Sequence, residues 1–600
     1  MEEERRDKKM EESSSSSNLR EPFRLCNEMQ LLEFPDKYVI RPTDSQSLQP
    51  FCIGRSDGVI GPLDDLPNGD PLKIQTIFGI VGTIRLLAGT YVLVITSTKQ
   101  VGTYFGHHIF QVTSLKFISC NEALKLSSYQ EKRDEAYFTT LLKTVELTPG
   151  LYYSYEVDLT VNLQRRYRLA EKSVFKPLWK QADPRYVWNK SLMEDLIEAK
   201  LDAFIIPLVQ GSFQHIEFTP KNSPIVITTI SRRCTRRLGT RMWRRGANLE
   251  GDTANFVETE QIVQFDGLVA AYIQIRGSIP LLWEQIVDLS YKPRLNIINH
   301  VETSKVVEHH FVDLAQRYGS ILVIDLTDKS GDEGKLSAAF ATEMEKLSHV
   351  RYVSFDFHDI CQKENFDNLQ LLYDQVAEDI EDQGYFLATS GRKIIAEQQG
   401  VVRTNCIDCL DRTNVTQCFI AEKILKLQLQ RMGAPLSTDS EHNDMLEKFK
   451  ISWVEQGDDI SLQYSGSHAL KRDVVRYGKQ TLPGLINDGL NSLSRYYLNN
   501  FRDGVRQDAM DLVSGHYVVS QSVPSPFQLN GFESLSYLPV ASAILIGGVT
   551  LTSITLNQAG RNAPHFISSV FWAGLTAGVM ALVKANGRQF CSRPRLCGLL

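Results

Sequence analysis

The chain is 600 residues long, with a formal net charge of −6, 42% hydrophobic and 23% charged residues. That length exceeds what one hydrophobic core serves, so about two or three domains are expected. The acidic balance excludes nucleic-acid binding through bulk charge, and attraction to an anionic membrane must come from local patches.

Residues 1–22 hold a charge cluster followed by five serines and read as a disordered tail. No secretory signal opens the chain, and ten cysteines lie scattered without a framework pattern, so reduced thiols and a cytosolic catalytic part are expected. Residues 23–200 read as strand-rich. Thr76–Thr96 predicts two β-branched strands joined at Gly89-Thr90, and Tyr152–Thr160 predicts another strand. Residues 201–515 alternate strand and helix patterns: Ser320–Thr327 has the apolar run of a buried strand and Leu336–Leu347 has helical spacing. The fold class is therefore α/β (α+β overall), a strand-rich N-terminal domain beside an α/β domain.

Seven arginines, at 232, 233, 236, 237, 241, 244 and 245, form the densest basic run. For most of them a solvated face with scattered ion pairs is expected; a subset, Arg236 and Arg237, is a candidate contact for anionic lipid. Lys471, Arg472, Arg476 and Lys479 form a second such cluster. Asp325-Leu-Thr327 follows a strand but lacks the second acid of an aspartyl-phosphate enzyme, and reads as a strand-end turn.

Residues 403–414 read Arg-Thr-Asn-Cys-Ile-Asp-Cys-Leu-Asp-Arg-Thr-Asn. Within this run Cys406, Arg412 and Thr413 have the Cys-x5-Arg-Thr spacing of a cysteine-dependent phosphatase. The five intervening residues, Ile407 to Asp411 with Asp408, Cys409 and Leu410 between, can curl so that backbone N–H groups face phosphate oxygens, while arginine closes the ring with a planar fork. A strand pattern leads in (Ile394, Ile395, Val401, Val402) and a helical one leads out (Val415, Phe419, Ile420, Ile424, Leu425). The loop is thus expected at a helix N-terminus, which favours both phosphate and thiolate. Cys406-x2-Cys409 lacks the second Cys or His pair of a zinc site; Cys409 reads as a small filler, or as a partner able to trap Cys406 in a disulfide. His309, His310 and His358 read as structural, because nothing in the sequence brings them to Cys406.

Residues 516–533 contain Pro524, Pro526 and Gly531 and read as a linker. From Ser534 to Gly560 no residue is charged, and two apolar stretches, at about 537–556 and 566–583, are each long enough to cross about 30 Å of hydrocarbon. Residues 534–584 are therefore expected to form a transmembrane helical hairpin, with Gly574-x3-Gly578 permitting close helix contact. Residues 585–600 carry Arg588, Arg593 and Arg595 and read as a basic cytosolic tail, which puts the main body on the cytosolic side.

The extended string around Cys406 resembles the signature of the Sac family of phosphoinositide phosphatases, and the placement of Asp408 and Asp411 is also similar to the myotubularin lipid phosphatases. Further blocks resemble the Sac domain: Ser231–Thr240, Arg244-Arg-Gly246, Ala254–Gln261, Gln274–Trp283, Asp356-Phe-His358, Gly457-Asp458 and Gln463–Gly466. The likeness runs from about residue 70 to 510 and, with the apolar C-terminus, points to the membrane-anchored endoplasmic reticulum and Golgi type, eukaryotic and of plant-like character. It implies a phosphoinositide lipid substrate on the anionic cytosolic leaflet, a role in lipid turnover and trafficking, and no metal or other cofactor; no protein partner is implied. It further implies a thiolate nucleophile at Cys406, phosphate neutralisation by Arg412, assistance from Thr413, proton donation by Asp408 first and Asp411 second, and bracing by Arg403 and Asn405. Loop residues 403–412 carry two arginines and two aspartates, a balance that suits a monophosphate; phosphatidylinositol 4-phosphate is expected, with the 3-phosphate and the 3,5-bisphosphate left open. The residues also leave open a tethered phosphatase of a soluble phosphoprotein or inositol phosphate, and a catalytically weak membrane scaffold.

Overall fold

A computed structural model describes residues 23–43, 48–63, 67, 69–120, 128–169, 175–220, 223–361, 366–434, 439–520, 525–527, 538–558 and 563–598. The tail expected over residues 1–22 lies outside them. Five short strands, β1 (Met29–Glu33), β2 (Lys37–Pro42), β3 (Phe51–Gly54), β4 (Ile60–Pro62) and β5 (Lys73–Ile77), pair in the order β4-β3-β2-β1-β5. A second, large sheet uses β6 (Gly79–Leu86), β7 (Gly89–Tyr104), β8 (His107–Ser119), β9 (Leu151–Tyr153), β10 (Val209–Phe218), β11 (Ile225–Arg233), β12 (Val257–Phe265) and β13 (Leu268–Arg276). After a two-stranded ribbon, β14 (Trp283–Ile286) and β15 (Arg294–Ile297), the large sheet resumes with β16 (Ser320–Asp325), β17 (Val350–Ser354), β18 (Phe386–Thr389), β19 (Ile394–Ala396) and β20 (Gly400–Asn405).

The large sheet runs through the domain boundary expected near residue 200, because β9 pairs with β10 at Val209↔Tyr152. Its order is β17-β16-β20-β13-β12-β11-β10-β9-β8-β7-β6. The hairpin expected over Thr76–Thr96 is β6–β7, turning at Leu87-Ala88 rather than at Gly89. Of the strand expected over Tyr152–Thr160 only Tyr152 and Tyr153 pair, as the end of Leu151–Tyr153; beyond it the chain turns at Asp158, whose carboxylate accepts from the Thr160 hydroxyl and amide.

Strand β20 lies between β16 and β13 and is parallel to both, in a register that puts Asp325 beside Asn405 and Arg276 beside Thr404. Helices cover both faces of this part of the sheet. In chain order the helices used below are α1 (Tyr129–Glu146), α2 (Thr303–Tyr318), α3 (Gly331–Met344), α4 (Leu369–Gln383), α5 (Asp411–Met432), α6 (Asp439–Ser465), α7 (Arg472–Tyr477), α8 (Leu482–Phe501), α9 (Asp503–Val513), α10 (Leu538–Gln558) and α11 (Ala563–Ala585). Phe311 and Leu314 of α2 and Leu336 and Phe340 of α3 bury against Ile321, Val323 and Val401 on one face. Ile420 and Ile424 of α5, Phe449 and Trp453 of α6 and Val376 of α4 bury against Leu322, Ile324 and Val402 on the other. At about 1.5–3 kcal/mol per large apolar side chain, these layers hold β20, and with it the loop that follows, in a fixed place.

Helix α11 contains the segment Pro564–Ala585, long and apolar enough to cross a membrane, with a mean hydropathy of 1.9; the apolar part of α10 is shorter, Ser542–Asn557. The two helices pack antiparallel, with the Ser569 hydroxyl donating to Thr555 Oγ1 at 2.9 Å. Their close approach is at Gly548, where an added Cβ would lie 2.2 Å from Thr576 Oγ1; at Gly574 and Gly578, expected to make it, an added Cβ would meet no atom of the described residues within 4 Å.

The chain is tied to the soluble body on both sides of this hairpin. Before it, the Phe527 ring lies 4.6 Å from Tyr137 and 5.5 Å from Phe138 of α1. After it, Gly587 packs on the Asp288 carbonyl, Cys591 is buried with Met242, Trp243 and Val287, and the Ser592 N–H donates to the Asn500 carbonyl at 2.7 Å. The N–H groups of Arg595 and Leu596 donate to the Asp508 carboxylate at 2.8 and 3.0 Å.

Candidate functional site

The Cys406 loop leaves the carboxyl end of β20 and enters α5 at Asp411, the strand–loop–helix setting that the flanking patterns predict. The Cys406 side chain is buried. Its sulfur accepts from the Cys409 N–H at 3.0 Å and from the Thr413 hydroxyl at 3.4 Å. Cys409 adopts φ +53°, and this left-handed turn aims its N–H back at the sulfur. The Cys409 thiol itself points at the Gly277 and Cys406 carbonyls, at 2.9 and 3.1 Å. Burial alone would raise the Cys406 pKa; the contact with Cys409, the Arg412 charge and the Thr413 hydroxyl overcome it and bring the thiol down to about 6. Burial, with the neighbouring sulfur next, pushes Cys409 well up, so the pair divides into a thiolate and a thiol.

Buried polar side chains fix the loop from behind. Arg403 Nη1 donates to Asn405 Oδ1 at 3.1 Å, its Nη2 to the Ser278 carbonyl at 2.7 Å, and its Nε to His310 Nε2 at 2.9 Å. His310 is structural, as expected. Burial and then the Arg403 charge push its pKa well down, so the ring is neutral and its Nδ1–H donates to the Gly251 carbonyl. The Asn405 amide donates to Asp325 at 2.7 Å. Asp325 also takes the hydroxyls of Thr327, Ser337 and Tyr352, so the strand-end turn is a polar hub. Leu410 is buried with Val257, Ile460 and Tyr464.

The basic run at 232–245 supports the fold and the loop from inside. Arg232 joins Glu258 and Glu260, with all three buried; Arg233 reaches the Gln463 carbonyl; Arg244 is paired with both oxygens of Asp511 at 2.9 Å. Arg237, expected as a lipid contact, is buried and donates to the Arg245 carbonyl; Arg236 pairs with Asp252. Arg245 Nη1 donates to the Ile407 carbonyl at 2.9 Å and lies 2.7 Å from Asp408, while Arg241 Nη2 meets Asp408 at 2.8 Å. A spacing pattern shows a dense basic run but not which way it faces, and a run that inserts into a core looks the same in sequence as one that coats a surface.

These pairs bear on the proton-donating role expected of Asp408. Burial opposes its ionisation, but Arg241 and then Arg245 hold the carboxyl well below the usual carboxylate range. Asp411 is engaged as well: it accepts from the Leu470 N–H at 2.6 Å and from Arg495 of α8 at 3.0 Å.

Arg412 closes the opposite side. Its Nη1 donates to the Leu326 carbonyl at 3.1 Å and to Asp328 at 3.0 Å, and its Nη2 donates to Glu333 at 3.0 Å. His358 Nδ1 lies 2.7 Å from the same Asp328 oxygen. A cleft of about 600 Å³ opens over Cys406, lined by Arg241, Lys292, Arg412, Lys471 and Arg495 and by Asp328, Asp332, Glu333, Asp408 and Asp411. Its charges balance, five against five, and His358 lines it too. Of the second basic cluster only Lys471 lines it; Arg472 pairs with Asp458, Arg476 with Glu447, and Lys479 is exposed. Sequence reasoning missed Asp328, Glu333, His358, Arg241 and Arg495 as parts of the cleft, and Arg245 as the partner of Asp408 behind it. Asp356-Phe-His358 had been singled out, but only the return of β17 beside β16 brings it to β20.

Residues 78–362 match the description of the SacI homology domain. The phosphoinositide phosphatase SAC8 of Arabidopsis thaliana is 62% identical over 96% of this chain and 98% of its own. The phosphatidylinositol-3-phosphatase SAC1-A of Danio rerio is 35% identical, over 94% of this chain and 97% of its own. The phosphatidylinositol-3-phosphatase SAC1 of Saccharomyces cerevisiae is 31% identical over 90% of this chain and 88% of its own.

Proposed function

This chain belongs to the Sac-domain family of phosphoinositide phosphatases, and we propose that it removes the monoester phosphate of phosphatidylinositol 4-phosphate through a phosphocysteine on Cys406. The observation that carries this reading is the Cys406 sulfur, lowered to about 6 and bonded by the Cys409 N–H and the Thr413 hydroxyl, at the floor of a cleft with Arg412 at its edge. The thiolate attacks phosphorus in line, an S–P bond forms, and the P–O bond to the inositol ring breaks. Arg412 transfers its fork from Asp328 and Glu333 to the phosphate oxygens, whose charge it neutralises. The departing inositol oxygen takes a proton from His358, held at 2.7 Å by Asp328, histidine being the side chain that most readily exchanges a proton near neutrality. Water then attacks the phosphocysteine, inorganic phosphate leaves, and Thr413 stabilises the returning thiolate. Asp408 keeps Arg241 and Arg245 in place.

The balanced charge of the cleft supports a monophosphate headgroup over a bisphosphate. The Danio and yeast relatives are named for the 3-phosphate, so that lipid is the second reading. The hairpin α10–α11 is proposed to cross a secretory-pathway membrane, endoplasmic reticulum or Golgi, twice, leaving the catalytic body on the cytosolic leaflet and acting on its own membrane. Phosphate release from a panel holding the 3-, 4- and 5-monophosphates, the 3,5-bisphosphate, free inositol phosphates and a phosphotyrosine peptide tests the reading, with Cys406→Ser as control. Turnover of the peptide or the free headgroup in preference to lipid would overturn it.

A further inference from the structure

Helix α8 (Leu482–Phe501) is amphipathic in the reverse of the usual sense. Its two charged side chains turn inward: Arg495 is buried against Asp411 of the catalytic loop, and Asp488 accepts from the Lys471 N–H at 3.0 Å. Its outward face carries Leu482, Leu485, Ile486, Leu490, Leu493 and Tyr497, each between 54% and 72% exposed. Spacings of three and four residues put them on one stripe, with no charged residue among the exposed positions of the helix. A water-facing helix normally presents its charges outward, and a continuous apolar stripe of this size marks a contact surface.

Two observations say what covers it. First, the neighbouring chain leads directly to the candidate membrane span. Helix α11 ends at Ala585, Gly587 already packs on the Asp288 carbonyl, and the residue after Asp288 is tied to α8 through Tyr496 Oη, which donates to the Leu289 carbonyl at 2.8 Å. The C-terminal end of α8 is fastened to the same segment by the Ser592 bond to Asn500. Second, the inner side of α8 supplies Ser492, Arg495, Tyr496, Asn499 and Asn500 to the wall of the Cys406 cleft.

We propose that α8 is an interfacial helix whose apolar stripe lies in the headgroup and upper acyl layer of the cytosolic leaflet, setting the mouth of the Cys406 cleft against lipid headgroups. The proposal rests on the phosphoinositide reading for its benefit to catalysis. It adds a second membrane contact, independent of the hairpin, and makes α8 the element through which bilayer contact reaches the loop, since Arg495 joins it to Asp411.

The test uses the full chain in vesicles of phosphatidylcholine, phosphatidylserine and phosphatidylinositol 4-phosphate. In a variant with Leu485→Ser, Ile486→Ser, Leu490→Ser and Leu493→Ser, turnover of the vesicle lipid is expected to fall about tenfold while turnover of a dispersed short-chain lipid is unchanged. Equal turnover of both by variant and parent, or an equal loss on both, would overturn the proposal. A readout that needs no turnover is tryptophan emission from a Leu490→Trp chain with acyl-brominated lipids. Quenching beyond that of the unsubstituted chain is expected, and its absence would overturn the proposal. Absence of quenching together with a serine variant of smaller mass in detergent would assign the stripe to a second copy instead. If the unsubstituted chain releases phosphate from no phosphoinositide, the substrate reading fails while the quenching result still decides the fate of the stripe.

Discussion

The guanidinium of Arg412 is held by Glu333, 3.0 Å from Nη2 to Oε2, on the side of the cleft facing the acids of the β16–α3 turn. Phosphate must take the fork from that carboxylate and from Asp328, so the two acids compete with substrate for one cation. Glu333→Gln weakens the competitor and keeps the shape. The KM for phosphoinositide is expected to fall about threefold, the scale of one half-buried ion pair, with kcat little changed. Steady-state kinetics read this, and a rise in KM would show that Glu333 orients Arg412 productively.

Cys406 carries a pH dependence. Its thiol is lowered to about 6, so the thiolate fraction rises as pH passes upward through about 6 and falls below it. The rate of iodoacetamide alkylation at Cys406 and the acid limb of kcat/KM are expected to share that inflection. Arg412→Ala removes a charge that favours the thiolate and moves the inflection upward. Cys406→Ser abolishes turnover without unfolding the chain, because a serine hydroxyl is not ionised at these pH values.

Asp408 and His358 separate by leaving group. Asp408→Asn removes the anion between Arg241 and buried Arg245, costing about 3 kcal/mol of stability and disturbing the Ile407 carbonyl contact. Activity is expected to fall alike on an inositol lipid and on an activated aryl phosphate. His358→Gln is expected to slow the inositol lipid by about a hundredfold, with much less effect on the aryl phosphate, which needs no proton on departure. A selective loss for Asp408→Asn would return the acid role to the loop.

The Cys-x5-Arg-Thr spacing, the strand before it and the helix after it were legible because they are local: β20 and α5 follow from hydrophobic period and the loop from its residues. The buried histidine His310 was legible as structural. The surroundings of Asp408 were not legible, because they are supplied by Arg241 and Arg245, far off in sequence in the connection between β11 and β12. The Arg232–Arg245 run looked like a surface because sequence carries charge but not orientation, and the inward turn depends on Glu258, Glu260 and Asp511 arriving from other elements. Gly574-x3-Gly578 fits a helix-contact motif, yet Gly548 makes the contact, because the motif does not show which face of α11 turns to α10.

That difference is testable. Gly548→Val places a side chain on Thr576, whereas Gly574→Val meets no atom within 4 Å. The first is expected to lower the amount of membrane-inserted protein and its thermal resistance in detergent, and the second to leave both unchanged. Equal loss in both variants would mean that α11 turns its Gly574 face to α10.

The segment after α11 ties the body to the end of the candidate span. A free linker would let the catalytic part range, but Gly587 lies on Asp288, two residues beyond the end of α11, and Phe527 is seated on α1. The tail also completes Asp508. Burial raises the pKa of that carboxyl, and the amides of Leu596 and Arg595 and the Tyr137 hydroxyl lower it in turn. A chain ending at residue 585 leaves the carboxylate with Tyr137 and opens the Cys591 site. It is expected to lose about 2 kcal/mol of stability, the cost of a buried acceptor deprived of its donors. Asp508→Asn, which weakens the same contact without shortening the chain, is expected to recover part of that loss when combined with the truncation, because a neutral amide is cheaper to leave unpaired. Denaturant unfolding of the four chains in detergent measures the cycle. If truncation leaves stability unchanged, the tail does not hold the body, and catalysis on a separate vesicle population then becomes as fast as on the shared one. With the strap intact, cleavage is expected only where enzyme and lipid share a bilayer.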